Sequence, residues 1–233
     1  MRLDECTWKE LKSYTEKQKG LIIPIGTCEQ HGHHLPLNTD VLVCEYFSKV
    51  LSEESGMLIA PTINYGVNLS CDKNYTGTTS ISAETLTQTV KEIVQWWQHQ
   101  GFKDFYLLSY HGEPKHIQAL KTIHNKCHVL ELYEGDYEGI LEKQNRVMHA
   151  CEGETSLMMF LYPDRVRENM MTDFYMPEEE FDHFVANNLC FDTDKMPGNH
   201  GYATAATKEK GRMIADTIKE NMMKWYNINS INH

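Results

Sequence analysis

The chain has 233 residues, is 41% hydrophobic and carries a formal net charge of −11 with histidine neutral. That is enough apolar material for one α/β core and no second one. The acidic balance, with a pI near 5.5, excludes the basic patch that nucleic-acid phosphates demand. No apolar run approaches the roughly twenty residues of a membrane-spanning helix. The polar start Met1-Arg2-Leu3-Asp4-Glu5 is unlike a signal peptide. The seven cysteines (6, 28, 44, 71, 127, 151 and 190) are odd in number and never spaced CxxC. They read as reduced thiols of a cytoplasmic protein.

In chain order, Thr7-Trp8-Lys9-Glu10 has the form of a capping box and opens a short helix to about Glu16. The apolar run 21–25 is a buried strand. From Asp40 the apolar residues Val41, Cys44, Phe47, Val50 and Leu51 follow a helical spacing that ends near Gly56. Residues 57–60 form a strand stopped by Pro61, and 61–79, rich in Asn, Gly and Thr, is a long loop of the kind that carries function. A short strand at 80–82 precedes a helix through Gln100, capped by Gly101. Strands are expected at 105–110 and 128–133, with helices at 115–126, 139–149, 154–162 and 207–226. Residues 164–200 read as irregular. Strands alternating with helices predict a three-layer α/β/α sandwich with a mostly parallel sheet, in one domain spanning 1–233.

Chemistry concentrates in Cys28-Glu29-Gln30-His31-Gly32-His33-His34-Leu35-Pro36-Leu37-Asn38-Thr39-Asp40. Carboxylate and imidazole donors without thiolate pairs suit borderline-to-hard divalent metals. In open α/β sheets, ligands bind beyond the carboxyl ends of strands. Strand 21–25 runs into Glu29-x-His31, and strand 105–110 runs into His111-x-Glu113. Each pairs an imidazole with a carboxylate two residues away, so the two strand ends predict one site together. The lone histidines 99, 116, 124, 128, 183, 200 and 233 read as ordinary hydrogen-bonding residues. His33 and His34 divide between substrate pocket and surface, Cys28 is a neutral thiol, and Trp96-Trp97 is core plus interface. The methionines Met213, Met222 and Met223 pack the core.

Pro24-Ile25-Gly26, Glu29-Gln30-His31-Gly32, His34-Leu35-Pro36 and Asp40 together resemble the signature of the creatininase family of metal-dependent amidohydrolases. His149-Ala150-Cys151-Glu152-Gly153-Glu154-Thr155-Ser156 resembles that family's His-Ala…Glu-Thr-Ser stretch. Gly201-Tyr202-Ala203-Thr204-Ala205 resembles a third. The resemblance implies two divalent ions, zinc or manganese with iron as a third option. Glu29, Asp40 and His111 would hold one, and His31, Asp40 and Glu113 the other, with Asp40 bridging. His149 is implied as the acid/base group and Glu154 as a ligand or an orienting residue; the alternative for Glu154 is a helix cap. Glu113 or Glu154 would take or orient the water proton. The implied reaction is hydrolysis of a C–N bond in a small amide, open or cyclic, such as creatinine, in a homo-oligomer that is hexameric in relatives.

Two departures separate the chain from creatininase itself: Gly112 stands for a Tyr and Asn145 for a Trp of the substrate enclosure. The family also includes a formamide hydrolase acting on a pyrimidine nucleotide in flavin and deazaflavin biosynthesis, and a peptidase of a cofactor precursor. The alternatives of other kinds are a non-catalytic small-ligand-binding relative and a mononuclear site.

Overall fold

The computed structural model describes residues 1–123 and 126–230. His124 and His233, and the junction at 124–125 inside the expected helix 115–126, lie outside them. The central sheet has four parallel strands in the order β2-β1-β3-β4. These are β1 (Gly20–Ile25), β2 (Leu58–Ile59), β3 (Asp104–Ser109) and β4 (Cys127–Glu131). Parallel strands need crossovers, and helices supply them: α2 (Thr39–Ser55) after β1, α3 (Ala83–His99) after β2, and α4 (Pro114–Lys121) after β3.

Side chains alternate across the sheet because the strand period is two. Leu21, Ile23, Ile25, Phe105 and Leu107 point to one face and pack with Leu86, Val90 and Val94 of α3 and Leu120 of α4. Leu11 and Tyr14, from α1 (Trp8–Thr15), close the edge of that layer. Ile22, Tyr106 and Leu108 point the other way, onto Val43, Phe47 and Leu51 of α2. Leu157 and Met158 from α5 (Glu152–Leu161) complete this second core with Ile214, Ile218 and Met222 from α7 (Lys208–Ser230). With a helical layer on each face, the expected three-layer arrangement is the observed one.

Caps explain several helix ends. Thr7 and Glu10 form the reciprocal capping box of α1. Ser82 accepts from Thr85 N at the start of α3, and Gly56, at φ 72°, closes α2 in the left-handed conformation.

Three expectations fail locally. Residues 80–82 form no strand: Ile81 N donates once to Gly66 O, and Ser82 is already the N-cap of α3. Residues 139–149 form turns and bends in place of a helix. The Glu142 and Lys143 amides, needed for a helical ladder, donate instead to the buried Glu152 carboxylate at 2.9 Å each. The stretch 164–200 is more ordered than expected. It holds β5 (Asp173–Phe174), α6 (Glu178–Ala186) and, just beyond it, β6 (Gly201–Tyr202), antiparallel to β5. Phe181, Phe184 and Val185 of α6 pack on Cys71, Met176 and Phe191 in a third small apolar cluster. The acidic residues around those three positions masked their helical spacing in the sequence.

Candidate metal centre

The carboxyl ends of β1 and β3 converge on one buried spot. Gly26 allows it: a Cβ there would lie 2.7 Å from Val41 N, so only glycine lets the end of β1 meet the first turn of α2. That contact brings Asp40, in the positive N-terminal turn of α2, against Glu29 and His31. Residue 111 arrives two positions beyond the end of β3.

Three groups of potential ligands result, each with its donor atoms within 4.8 Å of one another: Glu29, Asp40 and His111; His31, Asp40 and Glu154; and Glu29, His31 and His149. Asp40 belongs to the first two. His111 Nδ1 lies 3.1 Å from Glu29 Oε2 and 3.4 Å from Asp40 Oδ2. His31 Nε2 lies 3.4 Å from Asp40 Oδ1 and 3.7 Å from Glu154 Oε2.

The opposite ring nitrogens fix the tautomers. His31 Nδ1 donates to Glu29 O at 3.0 Å, and His111 Nε2 donates to Val67 O at 2.8 Å. Each ring in its neutral form therefore turns a lone pair toward the carboxylates. Backbone anchoring of the remote nitrogen is characteristic of metal-ligating histidine. Among the described residues nothing donates to the buried Glu29 Oε2 or Asp40 Oδ2. Buried carboxylates need positive charge beside them, from protons on the facing imidazoles or from a cation among them, and this donor set fits divalent metal.

The electrostatics of the metal-free cluster say the same. Burial depresses His31, but Glu154, Asp40 and Glu29 overcome it and hold the imidazole up to about 10. His111, also opposed by burial, is lifted well above its ordinary value by Glu29 and Asp40. Asp40 is held far below the usual carboxylate range, burial notwithstanding, chiefly by His31 and His111. Without metal, protons on imidazole play the part of the missing cations.

Glu154 enters from the first turn of α5. Its Oε2 also accepts from Ala150 N at 2.5 Å, across a turn in which Ala150 takes a left-handed φ of 46°. Glu154 thus ties down that turn and reaches the cluster, while the cap of α5 itself is Cys151, whose Sγ accepts from Gly153 N. Burial first, then Asp40, raise its pKa to about 7. His149, just before the turn, stands with its ring centroid 4.5 Å from that of His31. Its Nε2 accepts from Gln30 Nε2 at 2.9 Å. Burial lowers its pKa to about 4, so the ring is neutral at pH 7.

Glu113 is a different case. It is the N-cap of α4, its Oε2 accepting from His116 N at 2.7 Å, and it belongs to none of the ligand groups. The signal was present in the sequence: Pro114 at the first helical position makes the preceding residue the cap. His34 is in neither expected place; fully buried, its Nε2 meets Thr155 Oγ1 at 2.8 Å. His33 is exposed. Cys28 is half-buried and donates from Sγ to Gly77 O.

Sequence reasoning missed Gln30 and Asp72. The Gln30 carboxamide donates to Gly198 O and Asp72 Oδ1 as well as to His149, and accepts from Gly32 N. Asp72, 42 residues away along the chain, is buried. Burial and then Glu29 raise it to about 7. Gln30 stood inside the Glu29-Gln30-His31-Gly32 motif without a role of its own, and no local pattern marked Asp72.

The cluster opens into a cavity of about 1760 Å³. Segment 133–148, the β5 region and α6 form its walls, and both Gly112 and Asn145 line it.

A parallel α/β sandwich with a buried carboxylate–imidazole cluster at its strand ends, beneath a solvent cavity, is the architecture of an α/β enzyme with a candidate site for divalent metal. The family model for creatininase (creatinine amidohydrolase) matches residues 4–226. The chain is 29% identical to the creatinine amidohydrolase of Pseudomonas putida, over 93% of this chain and 95% of that one. It is 25% identical to the mycofactocin precursor peptide peptidase of Mycolicibacterium smegmatis, over 82% and 72%. A crystal structure of creatininase superposes with a TM-score of 0.79 at 25% identity, covering 96% of this chain and 95% of that one. A manganese form of creatininase gives the same score and identity, covering 96% of each. The chain belongs to the creatininase family and is a hydrolase acting on C–N bonds.

Proposed function

We propose that the chain hydrolyses a small amide at a dinuclear centre held by Glu29, Asp40 and His111 on one side and His31, Asp40 and Glu154 on the other. The observation that carries this reading is the shared Asp40, set between two imidazoles whose remote nitrogens are anchored on backbone carbonyls. Zinc and manganese suit the nitrogen–oxygen donor set best, with iron third. Bound there, the pair of cations would polarise a carbonyl and make water a stronger acid.

The chain's own groups do the rest. His149 Nε2, whose lone pair meets the Gln30 amide at rest, takes the proton given up as water adds when that amide turns its two hydrogens to Gly198 O and Asp72 Oδ1. The same ring returns it to the departing nitrogen. Gln30 orients that ring from Nε2. Glu113, engaged as a helix cap, holds the floor of the cavity and leaves the second ligand position to Glu154. Neither the homo-oligomer of relatives nor a cytoplasmic location enters this chemistry. Seven unpaired cysteines accord with a reducing compartment. No helix among the described residues is long and apolar enough to cross a membrane.

Creatinine is the first substrate to try. A second reading is favoured by the cavity, which at about 1760 Å³ exceeds the roughly 300–1,000 Å³ of ordinary small-molecule sites. Gly112 and Asn145, where creatininase has aromatic residues, leave space for a larger amide. Glu134, Asp136, Glu178 and Asp182 on the walls suit a peptide better than a nucleotide phosphate.

Elemental analysis of protein reloaded with zinc or manganese, followed by a panel of creatinine, other lactams, formamides and short peptides, tests the proposal. About two metals per chain with turnover of one amide class is the expected result. No metal after reloading would leave the non-catalytic ligand-binding reading.

A further inference from the structure

A second histidine lies behind the metal group, and two backbone atoms of Val67 join it to His111. Val67 N donates to His116 Nδ1 at 3.2 Å, while Val67 O accepts from His111 Nε2 at 2.8 Å. A backbone N–H only donates, so His116 Nδ1 is a lone-pair nitrogen. The proton of this neutral ring is on Nε2, from which it donates to Ser109 Oγ at 3.3 Å. A carbonyl only accepts, so His111 Nε2 carries a proton, and Nδ1 is the nitrogen that faces Glu29 and Asp40. The two rings meet edge to face, their centroids 5.0 Å apart at 88°. His116 has no exposed surface.

The surroundings over-determine this arrangement. Glu113 caps the His116 amide at 2.7 Å and so fixes its place in the first turn of α4. Gly66 makes room for the ring: a Cβ there would lie 2.5 Å from His116 Cε1 and Nδ1. Ser109 is the last residue of β3, so the sheet itself supports the far nitrogen.

We propose that His116 is a positioning residue of the metal centre: it clamps the backbone at Val67, so that the Val67 carbonyl, on the same Cα, holds the His111 proton on Nε2 and turns Nδ1 toward Glu29 and Asp40. This rests on the reading of Glu29, Asp40 and His111 as a metal group. Without the clamp, Val67 N is a buried donor lacking its acceptor; the backbone about Val67 shifts to give it one, and the carbonyl on the same Cα moves with it. The His111 ring then loses its anchor. Loss of such an outer partner typically weakens metal binding about 10–100-fold.

Three variants separate clamping from mere packing. His116→Asn keeps an acceptor where Nδ1 stood. His116→Gln carries its amide to the Nε2 position and abandons Val67. His116→Leu fills the space without polar atoms. Zinc retention against graded chelator, counted per chain, is read beside hydrogen exchange of the Val67 amide in metal-free protein. Wild type and Asn are expected to hold two zinc ions and a protected Val67 amide. Gln and Leu are expected to lose one zinc at about 10–100-fold lower chelator strength, keep the other, and exchange Val67 at least about tenfold faster. If Leu does not fold, the Asn–Gln contrast decides. Equal zinc loss in all three variants, or wild-type zinc retention in Gln and Leu, overturns the proposal. Wild type that binds no zinc overturns the metal reading itself, which sets that failure apart.

Discussion

Lys210→Met tests how the wall of the cavity is held. Lys210 Nζ donates to Glu152 Oε1 at 2.7 Å and to Ala205 O at 2.8 Å, and pairs with Glu142 at 2.8 Å. Glu152 has no exposed surface and Lys210 is 9% exposed. The exposed Glu142 partner contributes little, because water screens it. The Glu152 partner is what matters. Removing Lys210 leaves a buried carboxylate supported only by the Glu142 and Lys143 amides, and breaking such a pair costs about 3–5 kcal/mol. At about 2–4 °C per kcal/mol for a domain of this size, the melting temperature should fall by about 10 °C. The loop 142–148, pinned through those same amides and lining the cavity, should loosen as well. Thermal unfolding of the metal-free protein, with hydrogen exchange across the loop, measures both. The double variant Glu152→Leu/Lys210→Met should recover much of the loss, because no charge is then left unpaired. A single variant melting within about 1 °C of wild type would refute the view that this pair secures the wall.

Other outcomes bear on the centre itself. Asp40→Asn should fold, by circular dichroism, yet retain no metal pair, since the one carboxylate serves two of the groups; two metals at full occupancy by elemental analysis would remove its bridging role. His149→Ala should keep its metal and lose about 10²–10⁴-fold in turnover, whereas a metal count that drops instead would make His149 a ligand.

Metal loading at pH 7 should release protons, because His31, held up to about 10 in the metal-free cluster, and His111, raised further still, must deprotonate to bind. Affinity should then rise with pH, by about 1.4 kcal/mol per unit for each proton displaced. Calorimetry in buffers of different ionisation enthalpy reads the count, and no release would contradict the cluster's electrostatics. The same raised pKa stabilises the metal-free fold. That share is fully present below the unfolded value of about 6.5 and is lost as pH rises through about 10. Urea unfolding of metal-free protein across this window should report a decline.

Much of the centre was legible in the chain. Glu29, His31 and Asp40 lie within one loop and the following helix turn, and His111 ends the clearest strand. Local periodicity and the rule that parallel sheets bind at their carboxyl ends bring these four together without any knowledge of packing. Helices α2, α3 and α7 were equally readable, since their apolar spacing or caps are local properties.

Tertiary structure decided the rest. Whether Glu113 or Glu154 stands opposite His31 depends on where α4 begins and on the left-handed turn at Ala150, which sets the direction of α5. Residues 139–149 lost their helix to a carboxylate ten positions from Glu142. Gln30, Asp72, Val67 and His116 act through partners 42 to 168 residues distant, or through backbone atoms that no side-chain motif records. A sequence determines what each residue can donate, accept or bury. Only the folded chain determines which of those capacities meet, because the energy of a buried polar contact depends on the one partner within about 3 Å and not on neighbours in sequence.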